Sequence, residues 1–138
     1  MNCFLKKTPP RRSFEKHIPV VLKLKDAYNI WQHLLPHVAK HTRQTLGAKI
    51  DSLLLEVLEE TFRASYLSPQ QKYSNIDTAI VRLDAVKFFV LVGWETGMLT
   101  DKQHIALSEP LVEASKMLAG WKLYLQKKTS ADEGGRKS

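Results

Sequence analysis

The chain has 138 residues, of which 43% are hydrophobic, with one cysteine and a formal net charge of +7. This length predicts one domain with a thin core, and the lone Cys3 excludes both an internal disulfide and a cysteine-based zinc site. No apolar run reaches the roughly 20 residues needed to span a bilayer. We therefore expect a basic cytoplasmic protein with no membrane partner.

The net charge belongs to the two ends of the chain. Residues 1–17 carry five basic residues and one acidic residue, residues 122–138 carry five and two, and the segment between them carries eleven of each. Basic arms attract polyanions by screened Coulomb forces and by the release of counterions. They also keep a neutral protein soluble, so charge alone leaves both interpretations open.

The first half of the chain predicts an arm and two helices. Residues 1–17 contain two consecutive prolines and predict a flexible basic arm. The first helix is expected from Pro19 to Pro36, with an apolar face of Val21, Leu24, Tyr28, Trp31 and Leu35. Residues 36–45 predict a polar connection. The second helix is expected to end at Ser68 and Pro69 and to bury Ile50, Leu53, Leu54, Val57, Leu58, Thr61 and Phe62.

A third helix is expected to begin between Ser74 and Thr78 and to end at Gly97. Ser68 and Gln71 could form a capping box before it. Its residues 88–94 are apolar on every side, whereas a helix of one bundle needs an apolar stripe of only about 100°. This run predicts a homo-oligomer with an interface at Phe88, Phe89, Leu91 and Trp94. The alternative is that this helix is central in a single bundle.

The fourth helix is predicted to open on a capping box of Thr100 and Gln103. Pro110 predicts a kink, or a restart capped by Ser108. The expected buried stripe consists of Leu107, Leu111, Leu118, Trp121 and Leu125. Residues 127–138 predict a disordered basic tail. Four helices without alternating strand patterns predict an all-α, up-and-down antiparallel four-helix bundle over residues 18–126.

Catalytic and metal-binding patterns are weak. His33, His37 and His41 recur every four residues, a spacing that could bind a metal on one helix face. Pro36 interrupts that helix and no carboxylate or thiol lies among them, so exposed histidines at a helix end are the alternative. The Glu-x-x-His pairs of di-iron bundles, a glycine-rich phosphate loop and a nucleophilic triad are not found. We predict no enzyme, no metal and no cofactor.

Basic residues within the body of the chain are unevenly placed. Residues 20–49 contain five basic residues against Asp26 alone, and residues 51–60 contain four acidic residues and no basic one. The first helix and its loop are therefore expected to form a positive end. Arg82 and Lys87 flank the apolar run of the third helix, where they either pair with carboxylates such as Asp84 or face a ligand.

Several segments resemble the Avd-like proteins, the accessory variability determinants of diversity-generating retroelements. They are residues 39–47 (AKHTRQTLG) with 53–56 (LLLE), residues 83–87 (LDAVK), and residues 99–103 (LTDKQ) with 115–121 (SKMLAGW). They occur in the family's order between Pro19 and Trp121. In this chain Gln44 stands where the family usually has an aromatic residue, Ala39 replaces a proline, and Leu91 replaces a second basic residue.

The resemblance implies a function as well as a fold. Avd-like proteins are four-helix bundles that assemble as positively charged pentameric barrels. They are non-catalytic partners of the element's reverse transcriptase, bind nucleic acid including template RNA, and support mutagenic retrohoming. By motif position, Arg43 matches the family's loop arginine, Lys87 matches the first basic residue of the third-helix motif, and Lys116 stands where the family often has arginine.

Charge and resemblance together predict an accessory protein that binds a reverse transcriptase and RNA or cDNA. The residues expected to make these contacts are Arg11, Arg12, Arg43, Lys49, Arg82, Lys87, Lys116, Lys127 and Lys128. The alternative is a scaffold bundle without a polymerase partner, such as the related proteins encoded in intervening sequences of ribosomal RNA genes. The second- and third-helix pattern typical of that family is not found in this chain.

Overall fold

The computed structural model describes the backbone of residues 18–137 and the side chains of residues 19–128 and 130. This part of the chain holds four long helices and no strand. They are α1 (Ile18–Leu34), α2 (starting at Lys40 and ending with the segment Ala48–Ala64), α3 (Pro69–Glu95) and α4 (Asp101–Lys137). The predicted basic arm, with Arg11 and Arg12, lies outside the described residues.

The four helices form a closed ring of neighbours. Each helix packs along the next one in the chain, and α4 packs against α1, whereas the diagonal pairs make few close contacts. Because the connections are short, successive helices run antiparallel. The all-helical four-helix bundle expected from the sequence is confirmed.

The core is built from stripes whose residues are alternately three and four positions apart. On α3 the stripe is buried from Ile76 to Gly93, and on α1 Val20, Leu24, Ala27 and Trp31 follow the same spacing. A repeat of 3.5 residues suits helices that cross at about 20° with interdigitating side chains. The stripe predicted for the fourth helix is confirmed as buried: Leu107, Leu111, Leu118, Trp121 and Leu125.

The start of α2 differs from the expected connection. Pro36 lies in the 3-10 turn Leu35–His37 directly after α1, but residues from Lys40 onward are already helical. An α-helical turn, Lys40–Thr42, leads into a π-helical turn, Arg43–Gly47, and then into Ala48–Ala64. The predicted polar connection over 36–45 is therefore wrong from Lys40 on. Its polar residues occupy a short, mostly exposed helical segment, which sequence periodicity does not distinguish from a loop.

Three further expectations around the α2–α3 turn are wrong. Phe62 lies on the outside of α2 with 47% of its surface exposed, although the rest of the predicted stripe is buried or half-buried. Helix α3 begins at Pro69, earlier than expected, because proline fits the first turn of a helix. Ser68 is the N-cap residue but its side chain makes no capping hydrogen bond, so the expected box with Gln71 does not form.

The connection from α3 to α4 has both predicted signals. Gly97 has a φ of 85°, and the amides of Met98 and Gly97 donate to the carbonyls of Gly93 and Trp94 at 2.7 and 3.2 Å. This is the Schellman arrangement that ends many helices. Thr100 and Gln103 then exchange hydrogen bonds of 3.0 and 3.1 Å between backbone amides and side chains. The predicted capping box is confirmed.

Helix α4 is longer than the sequence predicts. It runs through the buried Pro110 without interruption, so the restart at Ser108 is wrong. The helix continues to Lys137, in contrast to the disorder expected over residues 127–138. Each residue added to an existing helix forms one more backbone hydrogen bond, which favours propagation beyond the core. Among the described helices, none has the length and apolarity to cross a membrane.

Two glycines provide a test of the turn between α3 and α4. At both of them an added Cβ atom would meet no other atom within 4 Å. Gly97 has a positive φ, whereas Gly120 lies within α4. We expect Gly97→Ala to lower the free energy of unfolding by about 1 kcal/mol, because alanine is strained in the left-handed region. Gly120→Ala is expected to raise it by roughly 0.5–1 kcal/mol through helix propensity. Urea unfolding measures both; equal effects of the two substitutions would contradict the assignment of the turn.

Candidate functional site

One end of the bundle collects basic residues that make no ion pair within the described part of the chain. Here α1 ends, α2 begins, α3 ends and α4 begins. Lys40, Lys49 and Lys102 are exposed, Arg43 is half-buried, and none of them makes an ion pair with another described residue. We call this end of the bundle, which carries these four residues, the basic end. Lys40, Arg43 and Lys49 are close in sequence at the start of α2, and the packing of the helices adds Lys102 of α4 to the same end.

Two of the carboxylates at this end are bound to internal donors. Asp51 accepts hydrogen bonds from the hydroxyl of Tyr28 at 2.9 Å and from Nε1 of Trp31 at 3.1 Å. Asp101 accepts one from Nε1 of Trp94 at 2.7 Å. The sequence analysis missed both contacts, although a buried tryptophan such as Trp31 signals the need for an acceptor. These carboxylates are therefore held against indole and phenol groups, and among the described residues neither makes an ion pair with a cation of the basic end.

The π-helical turn Arg43–Gly47 lies within this end. Such a turn disturbs the regular pattern of backbone hydrogen bonds, and π turns often occur at functional sites. The hydroxyl of Thr45 donates to the carbonyls of His41 and Thr42 at 3.1 and 3.3 Å. Gly47 is buried, and a Cβ there would lie 3.4 Å from Leu35 Cδ1. The turn is thus packed closely against the residues that follow α1.

The other predicted basic residues fall into two groups. Arg82 Nε binds Glu56 Oε2 across α2 and α3 at 2.9 Å, Lys87 pairs with Asp84 at 3.2 Å, and Lys116 approaches Glu113 at 4.0 Å. A carboxylate therefore stands beside each of these three cations. Lys127 and Lys128 are exposed on α4 at the opposite end of the bundle. Of the predicted nucleic-acid contacts that fall within the described residues, only Arg43 and Lys49 lie in the basic end.

Part of the predicted oligomer interface is exposed on α3. Phe88 is 58% exposed and Leu91 is 38% exposed, while Phe89 packs against the core. Contacts between Asp77 and Lys122 and between Trp94 and His104 fix how α3 lies along α4. This register brings the exposed Ile105 and Val112 of α4 to the level of Phe88 and Leu91. We call Val81, Phe88, Leu91, Ile105 and Val112 the outer apolar surface.

Trp94 occupies a different position from the other predicted interface residues. In addition to its bond with Asp101, its ring stacks on the ring of His104, with centroids 4.8 Å apart and planes 11° apart. Its exposed fraction is 39%. Trp94 is therefore held against the first turn of α4, at the basic end.

The three evenly spaced histidines are exposed and do not converge. His33 Nδ1 lies 2.8 Å from the carbonyl of Asn29 on its own helix. Within the part of the chain that the structure describes, no group of three or more His, Cys, Asp or Glu residues is arranged to hold a metal ion.

Two side chains that make contacts between helices have raised pKa values. Burial, followed by the hydrogen bond to Asp51, raises the pKa of Tyr28. The hydrogen bond to Asp77, which is also an ion pair of 2.8 Å, raises the pKa of Lys122. Both shifts favour the protonated form of the group in the folded protein.

No protein-family model, no curated protein and no solved structure matches this chain.

The raised pKa of Tyr28 predicts a loss of stability at alkaline pH. The folded protein keeps the phenol proton at a pH where the unfolded chain loses it, so this contribution is present below about pH 10 and lost above it. In Tyr28→Phe the contribution disappears, and we expect the free energy of unfolding to fall less between pH 9 and 11. Lys122 titrates in both proteins and cancels in the comparison. Urea unfolding curves that depend on pH identically would contradict this role of Tyr28.

Proposed function

We propose that this chain is a non-catalytic accessory protein that binds RNA or cDNA through its basic end and serves the reverse transcriptase of a diversity-generating retroelement. The observation that carries nucleic-acid binding is the group of four cations without ion-pair partners among the described residues. The polymerase partner and the role in mutagenic retrohoming come from the resemblance of the sequence motifs to Avd-like proteins.

The chemistry of the basic end suits phosphate. The guanidinium of Arg43 can contact two phosphate oxygens at once, while the three lysines act as point charges. Each phosphate neutralised on a single strand releases counterions and adds about −0.7 to the slope of log affinity against log salt. Four contacts therefore give a slope of roughly −3 from this end alone.

We also propose that the protein assembles through the outer apolar surface. A contact of this kind between copies removes Phe88 and Ile105 from water, and both are more than half exposed in the single chain. Leu55 and Phe62 on the outside of α2 offer a second apolar surface, as the head-to-tail contacts of a ring require. A ring repeats the basic end around its axis, so the positive fields of the copies add. The proposed number of five subunits comes from the resemblance.

A scaffold oligomer without a nucleic-acid role is the second candidate, and the outer apolar surface favours it equally. The dependence of binding on salt concentration distinguishes the two candidate functions. Contacts with phosphate weaken steeply as the salt concentration rises, whereas apolar assembly does not weaken with salt.

Removing charge from the basic end is expected to weaken RNA binding and its dependence on salt. In Lys40→Gln/Arg43→Gln, two phosphate contacts are lost, so the salt slope should become shallower by roughly 1.4. Fluorescence anisotropy of a labelled single-stranded RNA, titrated at several salt concentrations, gives both quantities. Copurification with the element's reverse transcriptase at low salt tests the polymerase partner separately.

The control for this experiment removes the same charge elsewhere. Lys23 and Lys25 lie on the first half of α1, away from the basic end. Lys23→Gln/Lys25→Gln should keep the wild-type slope, with folding of both variants checked by circular dichroism. If both double variants bind RNA alike, the basic end is not the contact surface, and if the wild type binds neither RNA nor the polymerase, the proposed function is wrong.

Charge placed on the outer apolar surface should dissociate the assembly. In Phe88→Glu/Leu91→Glu, each contact between copies would bury two carboxylates, which costs several kcal/mol per ion. Light scattering of the wild type should give the mass of an oligomer, and that of the variant should approach one chain. Leu22→Glu is the control, because Leu22 is an exposed residue of α1 outside this surface. A monomeric wild type, or an oligomer unchanged in the variant, would exclude assembly through this surface.

A further inference from the structure

We infer that Trp94 is a stacking platform for one unpaired nucleobase, an inference that rests on the proposed binding of nucleic acid. It gives the basic end a preference for single strands, because bases in a duplex are stacked on one another and offer no free face.

The indole of Trp94 is held in place on two sides. Its Nε1 edge donates to Asp101 at 2.7 Å, and one ring face lies against His104 with planes 11° apart. The side chain nevertheless keeps 39% of its surface exposed. Because the Nε1 edge and one face are in contact, the face opposite His104 is the one on which we infer that a base stacks.

The platform is ordered before any ligand arrives. Trp94 lies in the last turn of α3, and both of its partners lie in the first turn of α4. The Schellman turn at Gly97 and the capping box of Thr100 and Gln103 fix the five residues between the helices. A ring already held in position loses little conformational entropy on binding.

Cations flank this platform. Lys102 is exposed and directly follows Asp101, the residue that holds the indole. The start of α2 reaches the end of α3, since a Cβ on Gly93 would lie 3.7 Å from Leu46 of the π-helical turn. Arg43 belongs to the same turn. Phosphates on either side of a stacked base can therefore meet positive charge from two helices.

The other exposed aromatic residues of the described chain lie elsewhere. Tyr124 is near the far end of the bundle, where it lines an open pocket with Trp121 and Pro69. Phe62 and Tyr66 contact each other near the end of α2, and Phe88 meets Phe89 in the middle of the outer surface of α3. Trp94 alone among them combines an exposed ring with the basic end.

The test compares binding of a 12-nucleotide single-stranded RNA and of a duplex RNA of the same length. Trp94→Leu keeps an apolar side chain but offers no aromatic face, so single-strand binding should weaken roughly 5- to 140-fold, the equivalent of about 1–3 kcal/mol for one stacked base. Trp94→Phe should keep most of the affinity. Duplex binding should change little in either variant, and the salt slope should stay at the wild-type value because no charge is lost.

Tyr124→Leu is the matched control, since it removes an exposed aromatic ring at the opposite end, and it should bind both RNAs as the wild type does. Intrinsic fluorescence gives a readout that needs no variant. Trp31 and Trp121 are 0% and 8% exposed, so the single strand should chiefly protect Trp94 from quenching by acrylamide.

The outcomes separate the inference from the function on which it rests. If the wild type binds the single strand but Trp94→Leu binds it equally well, or if acrylamide quenching is unchanged by RNA, the platform is wrong and the proposed function stands. If Tyr124→Leu is the variant that loses affinity, the stacking site is at the other end. If the wild type binds neither RNA, the stacking platform and the nucleic-acid part of the proposed function both fail, and copurification with the polymerase then tests the remaining part.

Discussion

The structure depends on the burial of one narrow apolar stripe along α3. Its members alternate in spacings of three and four residues and pack against both α2 and α4. Burial of one large aliphatic side chain contributes about 1.5–3 kcal/mol, so the stripe fixes which side of α3 faces inward. The opposite side of the helix is then directed outward, and it carries Val81, Phe88 and Leu91. The same constraint thus produces the core and the outer apolar surface.

Polar contacts between the helices specify how far one helix is shifted along its neighbour. Arg82 with Glu56 and Asn75 with Glu60 join α2 to α3, and Lys122 with Asp77 joins α3 to α4. The ion pairs among them are partly exposed, where such pairs contribute little to stability. Their consequence for function is larger, because they engage cations along the sides of the bundle while those of the basic end have no partner in the described chain.

The basic end is built from helix termini. Three local devices converge there: the π-helical turn at the start of α2, the Schellman turn that ends α3, and the capping box that opens α4. The Schellman turn and the capping box satisfy backbone groups that a helix end leaves without partners. Because these groups are bonded internally, the connection from α3 to α4 has a defined backbone, and it places Trp94 and Lys102 at the same end of the bundle as Arg43 of α2.

Sequence reasoning succeeded where the signal is local. The stripe of the fourth helix follows from spacing alone, and Gly97 and the Thr100–Gln103 pair mark a turn through their own backbone and side-chain chemistry. On the first helix spacing identified Leu24 and Trp31, whereas Val20 and Ala27 are buried in place of the predicted Val21 and Tyr28, which are half-buried. It failed where a residue's role depends on a neighbour from another helix. The spacing of Phe62 places it on the apolar face of α2, but its side chain lies just outside the part of the helix that the neighbouring helices cover. The helical segment from Lys40 to Gly47 looks like a loop because most of its side chains are polar and exposed.

The sequence by itself therefore determined the class of fold, the number of helices, the turn between α3 and α4, and the excess of basic residues around residues 40–49. Only the tertiary structure decided which charged residues of different helices form ion pairs and which aromatic ring is exposed at the basic end. Arg82 meets Glu56 across 26 positions of sequence, and Trp94 is turned toward Asp101 and His104 by the packing of α3 on α4. Hydrogen bonds and stacking act over a few ångströms in space, so contacts between helices become visible only after the chain has folded.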